Sequence, residues 1–221
     1  MTPNRITAAR MVAAFLSVAL FVFFPRDLAA GIGAVILTAT AISLDALDGY
    51  IARSRGMATP LGAQFDILGD RVVENVYLTF FATAGTISVW VPVIFFVRGA
   101  LADLIRGLGA RSGRSGFGKE SMHQNMLGRV LVASRASRFA YALLKCVCFV
   151  YLGAVLTIAK AASWLVSAPA LRWLQTAAQL FVGLTVAFCI IRFLPLGWEG
   201  RRYLLDTPGT PIHRPAGIMR Q

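Results

Sequence analysis

The chain has 221 residues, of which 57% are hydrophobic and only 14% charged, with 22 Lys+Arg against 10 Asp+Glu and a formal charge of +12. Soluble domains carry about 25% charged residues, so a mean hydropathy of +0.67 excludes a soluble enzyme and a disordered tail alike. An integral membrane protein remains. The basic excess then points to charge-biased loops and anionic head groups before nucleic acid, and no nucleic-acid partner is expected.

Apolar runs of about 20 residues cross a hydrocarbon core of about 30 Å. Uncharged runs occur at 11–24, 28–44, 75–97, 146–159 and 173–191. If 75–97 crossed once, with Arg5 and Arg10 inside, everything from Arg98 to Lys145 would be exported with its nine basic residues, against the positive-inside rule. A break near Gly85 and Thr86 removes the conflict. The expected spans are therefore about 6–24, 28–52, 61–84, 87–107, 130–159 and 171–196, with both termini cytoplasmic. The fold class is all-α: a polytopic six-transmembrane-helix bundle over residues 1–205, followed by an irregular cytoplasmic tail at 206–221. The first span reads as a retained helix, since another apolar run follows Pro25-Arg26-Asp27 with no small-residue cleavage site between. Residues 109–128, rich in Gly, Ser and Arg, read as a cytoplasmic loop.

Four of the ten acids fall in one 26-residue window: Asp45, Asp48, Asp66 and Asp70. Asp45 and Asp48 are spaced i,i+3 near the end of the second span, and Asp66 and Asp70 i,i+4 near the start of the third. Either spacing puts both carboxylates on one helix face. A short connector makes the two helices antiparallel neighbours, so the pairs can meet at one depth. Four facing carboxylates repel in a low-dielectric bundle unless divalent cations lie between them. Oxygen donors without Cys or His favour Mg²⁺, Mn²⁺ or Ca²⁺, and two such ions suit phosphoryl transfer. The other acids (Asp27, Glu74, Asp103, Glu120, Glu199, Asp206) look scattered. Gly49, Ala52, Gly62 and Ala63 allow close helix approach or leave room for a base or diphosphate, and Arg53 could meet a phosphate.

The pattern Asp45-x2-Asp48-Gly49-x2-Ala52-Arg53-x8-Gly62-x3-Asp66-x3-Asp70 resembles the full signature of the CDP-alcohol phosphatidyltransferase family. The resemblance implies a six-helix membrane enzyme in which the hydroxyl of an acceptor alcohol attacks the β-phosphate of CDP-diacylglycerol and CMP leaves. It further implies two Mg²⁺ or Mn²⁺ ions held by Asp45, Asp48, Asp66 and Asp70, with Asp70 also taking the acceptor's proton. Gly49, Ala52, Arg53 and Gly62 then shape the nucleotide pocket, and a homodimer in the cytoplasmic membrane is expected by analogy.

For the acceptor, Arg98-x7-Arg106 together with Pro3-Asn4-x2-Thr7-x2-Arg10 resembles the phosphatidylglycerophosphate synthase branch, which uses glycerol 3-phosphate. Three departures stand beside it: Gly99 replaces the usual Glu, Ser137-Arg138-Phe139-Ala140-Tyr141 replaces the usual lysine-containing stretch, and the insertion at 111–128 is unusual for that branch. Arg10, Arg98, Arg106 and Arg138 are the candidates to hold the acceptor's phosphate, with Lys145 placed similarly to Arg138 on the fifth span; guanidinium clusters suit such a group. Inositol phosphate, serine and choline are the alternative acceptors. A cation transporter would also use intramembrane aspartates, but it needs neither the spaced glycines nor inward arginines. A membrane adaptor would leave the four acids unexplained. Cys146, Cys148 and Cys189 read as small hydrophobes within spans, His123 and His213 as solvated, and Trp90, Trp164, Trp173 and Trp198 as interfacial belt residues.

Overall fold

A computed structural model describes residues 3–54, 60–111 and 135–205. The described residues are all-helical, without strands: α1 (Pro3–Phe23), α2 (Leu28–Ser54), α3 (Pro60–Thr83), α4 (Trp90–Arg111), α5 (Arg135–Ala161) and α6 (Ala168–Leu205), with a 3₁₀ turn at Ser163–Leu165. Local chemistry sets these boundaries. Pro3 and Pro60 open α1 and α3, where a missing N–H costs nothing and φ is already helical. Asp27 caps α2: its Oδ1 accepts from the amides of Ala29 (2.8 Å) and Ala30 (3.3 Å).

The long run at 75–97 breaks where charge bias requires. Gly85 has φ +74°, the Thr86 amide donates to Phe81 O (2.9 Å) and the Gly85 amide to Ala82 O (3.1 Å). These two bonds form a Schellman turn, whose left-handed position favours glycine. Ser88 then starts α4, its carbonyl accepting from the Val91 amide at 3.0 Å.

Two helix ends run furthest past the expected spans. α4 continues to Arg111, into the stretch expected as loop, and α6 extends nine residues beyond 196 despite Pro195 within it. Composition located the apolar parts of these helices, but helical hydrogen bonding does not stop where hydrophobicity does. At 1.5 Å per residue the 38 residues of α6 extend about 57 Å, well over a bilayer core. The basic stretch 112–134 and the tail 206–221 lie outside the described residues.

Among the described residues three helices are long and apolar enough to cross a membrane: Arg5–Phe23, Phe139–Ala161 and Ala168–Trp198. Leu28–Leu44 is apolar but shorter. Their outward faces carry Val12, Phe15, Phe23, Ile36, Leu180 and Leu184, all exposed, as lipid-facing positions require and a water-facing surface would not tolerate.

The chain divides into two compact units, one within residues 1–97 and 139–189, the other within 98–138 and 190–221. The core of the first is aromatic. Phe21 stacks on Phe80 at 5.3 Å between centroids, and Tyr77 lies 5.7 Å from Phe149. Among these rings Ser17 Oγ donates to Ala34 O (2.8 Å) and meets Thr38 Oγ1 at 2.9 Å, so the buried hydroxyls of α1 and α2 satisfy each other. In the second unit Ala102, Ile105 and Leu196 pack with Phe193, and Arg192 Nη1 donates to Ser137 O at 2.7 Å.

Gly31 of α2 lies directly against Thr157 of α5, and a Cβ there would overlap the threonine side chain. Gly31→Ala should therefore lower the melting temperature of the detergent-solubilised protein, and adding Thr157→Ala should restore most of the loss. A double variant as unstable as Gly31→Ala alone would contradict this contact.

Candidate active site

α3 carries its acids at regular helical spacing. Asp66, Asp70 and Glu74 are i, i+4 and i+8 and form a stripe along one face. The stripe is braced by cations from both flanking helices within the first unit. On α1, Arg10 is 1% exposed. Its Nη2 donates to the Asp66 carbonyl at 2.8 Å and to Asp66 Oδ1 at 3.1 Å. That approach depends on Gly69, where a Cβ would come within 2.5 Å of Thr7 Cγ2 and 3.0 Å of Arg10 Nη2.

From α5, Lys145 Nζ lies 3.2 Å from Glu74 Oε1 and 3.6 Å from Asp70 Oδ1, with the Tyr141 ring centroid 5.0 Å away. Arg71 Nη1 donates to the second Glu74 oxygen at 3.0 Å. Three carboxylates thus face three cations. Charge pairing of this kind is what makes ionised groups tolerable inside a helical membrane domain.

A cavity of about 250 Å³ opens beside the stripe, lined by Arg10, Asp70, Glu74 and Lys145 at its polar end and by Phe139 and Phe149 among its apolar walls. The acids differ in access. The Asp66 and Asp70 side chains are 46% and 37% exposed, while Glu74 is 2% exposed. A larger depression of about 600 Å³ is lined by Arg5, Ala8, Leu61, Gln64, Phe65 and Leu68, with no carboxylate among its described lining residues.

Of the residues expected to form the site, the structure brings Arg10, Asp66 and Asp70 together. Gly62 lies one turn before Asp66 on α3 and is partly exposed. Asp45, Asp48, Gly49, Ala52 and Arg53 fall on the last turns of α2, and their side chains lie outside those described, as do Arg106 and Arg138. Arg98, partly buried on α4, belongs to the second unit. Two residues at the cavity were missed as site residues. Glu74 looked scattered, although Asp66-x3-Asp70-x3-Glu74 carries the helical period. Lys145 is legible as a basic residue within a span, but no sequence signal names its partners on a different helix.

Among the described residues no group of three or more His, Cys, Asp or Glu is gathered as a metal cage. The donors nonetheless fit a hard divalent cation: Asp66 and Asp70 offer carboxylate oxygens, both accessible.

Residues 1–191 match the family model described as CDP-alcohol phosphatidyltransferase. The chain belongs to that family. No curated protein and no solved structure matches it. Membership makes it a membrane transferase of phosphate-containing groups in phospholipid synthesis, with a CDP-alcohol as donor, in a family that generally depends on divalent metal.

Replacing Arg10 by Met removes the guanidinium that holds both the backbone and the carboxylate of Asp66. Thermal unfolding should show a loss of about 2 kcal/mol, the scale of a charge-assisted hydrogen bond. Arg10→Lys should recover only part, because an ammonium lacks the planar fork. Full stability in Arg10→Met would show that the contact does not anchor α1 to α3.

Proposed function

We propose that this transferase moves the phosphatidyl group of CDP-diacylglycerol to a hydroxyl of glycerol 3-phosphate, releasing CMP, as in the phosphatidylglycerophosphate synthase branch. The supporting observation is the polar end of the small cavity, where Asp70 stands open beside Arg10 and Lys145. A pocket of about 250 Å³ suits a small polyol phosphate.

In this reading Asp45, Asp48, Asp66 and Asp70 hold two Mg²⁺ or Mn²⁺ ions. Bound there, the ions would neutralise the diphosphate and acidify the acceptor hydroxyl. Gly49, Ala52 and Gly62 leave room for the cytidine and diphosphate, and Arg53 contacts the nucleotide. Arg10, Arg98, Arg106 and Arg138 hold the acceptor's phosphate, Arg10 from the cavity wall it shares with Asp70.

The acceptor oxygen forms its bond to the β-phosphorus as the bond to CMP breaks, and its proton passes to the Asp70 carboxylate. The apolar walls at Phe139 and Phe149 keep water from competing for the same phosphorus. Residues 1–205 form one six-span membrane domain with both termini and the active site cytoplasmic and 206–221 as a tail, and the protein works as a homodimer in the cytoplasmic membrane. The charge bias of the loops supports that orientation.

Purified protein in detergent should release CMP from CDP-diacylglycerol only with Mg²⁺ or Mn²⁺ present, and fastest with glycerol 3-phosphate in a panel that includes inositol phosphate, inositol, serine and choline. Release with every acceptor except glycerol 3-phosphate would overturn the acceptor assignment. No release with any of them would overturn the reaction. Asp70→Asn should abolish turnover, and an active Asp70→Asn would remove Asp70 as the base.

A further inference from the structure

Lys145 is a cation placed against one of the proposed metal ligands, and a lysine that neutralises Asp70 competes with any divalent ion for it. The surroundings of Lys145 decide how strongly. Its Nζ is closer to Glu74 (3.2 Å) than to Asp70 (3.6 Å). Glu74 is sealed, at 2% exposure, and its second oxygen is fixed by Arg71 at 3.0 Å, so the carboxylate cannot turn away. The Asp70 side chain is 37% exposed. Glu74 is therefore the nearer partner of Lys145, buried and held by Arg71, and the contact to the more exposed Asp70 is the longer of the two.

We propose that Glu74 is a positioning residue that holds the Lys145 ammonium back from Asp70, leaving the Asp70 carboxylate available to a divalent cation. When the cation arrives, Lys145 keeps a full ion pair with Glu74 and no buried charge is stranded. Without Glu74, Lys145 has Asp70 as its remaining carboxylate partner among the described residues and closes on it. Glu74 thus acts on the site through another residue and does not touch substrate. The proposal rests on the reading of Asp70 as a metal ligand.

Mn²⁺ binding to the metal-free, detergent-solubilised full chain, followed by electron paramagnetic resonance without substrates, tests this independently of turnover. Glu74→Gln should weaken Mn²⁺ binding by about tenfold or more, the usual scale for losing a residue that orients a ligand. Lys145→Met should bind Mn²⁺ at least as tightly as the native protein. The double variant Glu74→Gln/Lys145→Met should recover native affinity, because the competitor is gone. Unchanged affinity in Glu74→Gln would overturn the proposal. So would a double variant as weak as Glu74→Gln, which would make Glu74 a ligand or a structural prop. If Glu74→Gln fails to fold, Lys145→Met alone decides, since weaker binding there contradicts competition. A native chain that binds no Mn²⁺ would remove the metal-ligand reading, and the proposal with it. Native binding with an unaffected Glu74→Gln would remove the proposal alone.

Discussion

Ion pairing along one face of α3 is the constraint on which the rest of the first unit depends. Three carboxylates one turn apart, in a helix flanked by apolar partners, would be ruinous without counter-ions. Arg10 from α1 and Lys145 from α5 supply them, with Arg71 from α3 itself. The same contacts tie three helices together, so the groups at the polar end of the cavity also fix the packing. Gly69 is small because Arg10 and Thr7 must come so near.

Around that polar seam the unit is built from contacts with no chemical role. The stacked Phe21 and Phe80, the Tyr77–Phe149 pair and the Ser17–Thr38 hydroxyls hold α1, α2, α3 and α5 in register. In a membrane the hydrophobic effect does not drive helices together, so close packing at Gly31 and interhelical hydrogen bonds must do it. The result is a packed frame with an accessible polar end. Accessible Asp66 and Asp70 beside sealed Glu74 separate groups that can meet a ligand from one that can only support them.

Much of this was legible in the sequence, and the reasons differ by residue. The break at Gly85 followed from charge bias, and the Schellman turn is its local cause. The Asp66–Asp70 face followed from helical spacing, and the eight-position signature reached the family that residues 1–191 match. Arg10 was legible as an inward cation, but its partner was not: nothing in Pro3-Asn4-x2-Thr7-x2-Arg10 says that the guanidinium lands on Asp66. Glu74 was overlooked because it lies outside the signature, although its period continues the stripe. The reach of α6 to Leu205 is hidden because hydropathy marks only the apolar part of a helix, and α6 continues past it.

The central claim is that the open end of the α3 carboxylate stripe is where the transfer takes place. The most direct measurement is an anomalous difference map from crystals of the full chain grown with Mn²⁺ and CDP-diacylglycerol. Manganese peaks are expected at coordination distance from Asp66 and Asp70, with the diphosphate beside them and Lys145 on Glu74. Peaks at other residues, with Asp66 still on Arg10 and Asp70 still on Lys145, would contradict it.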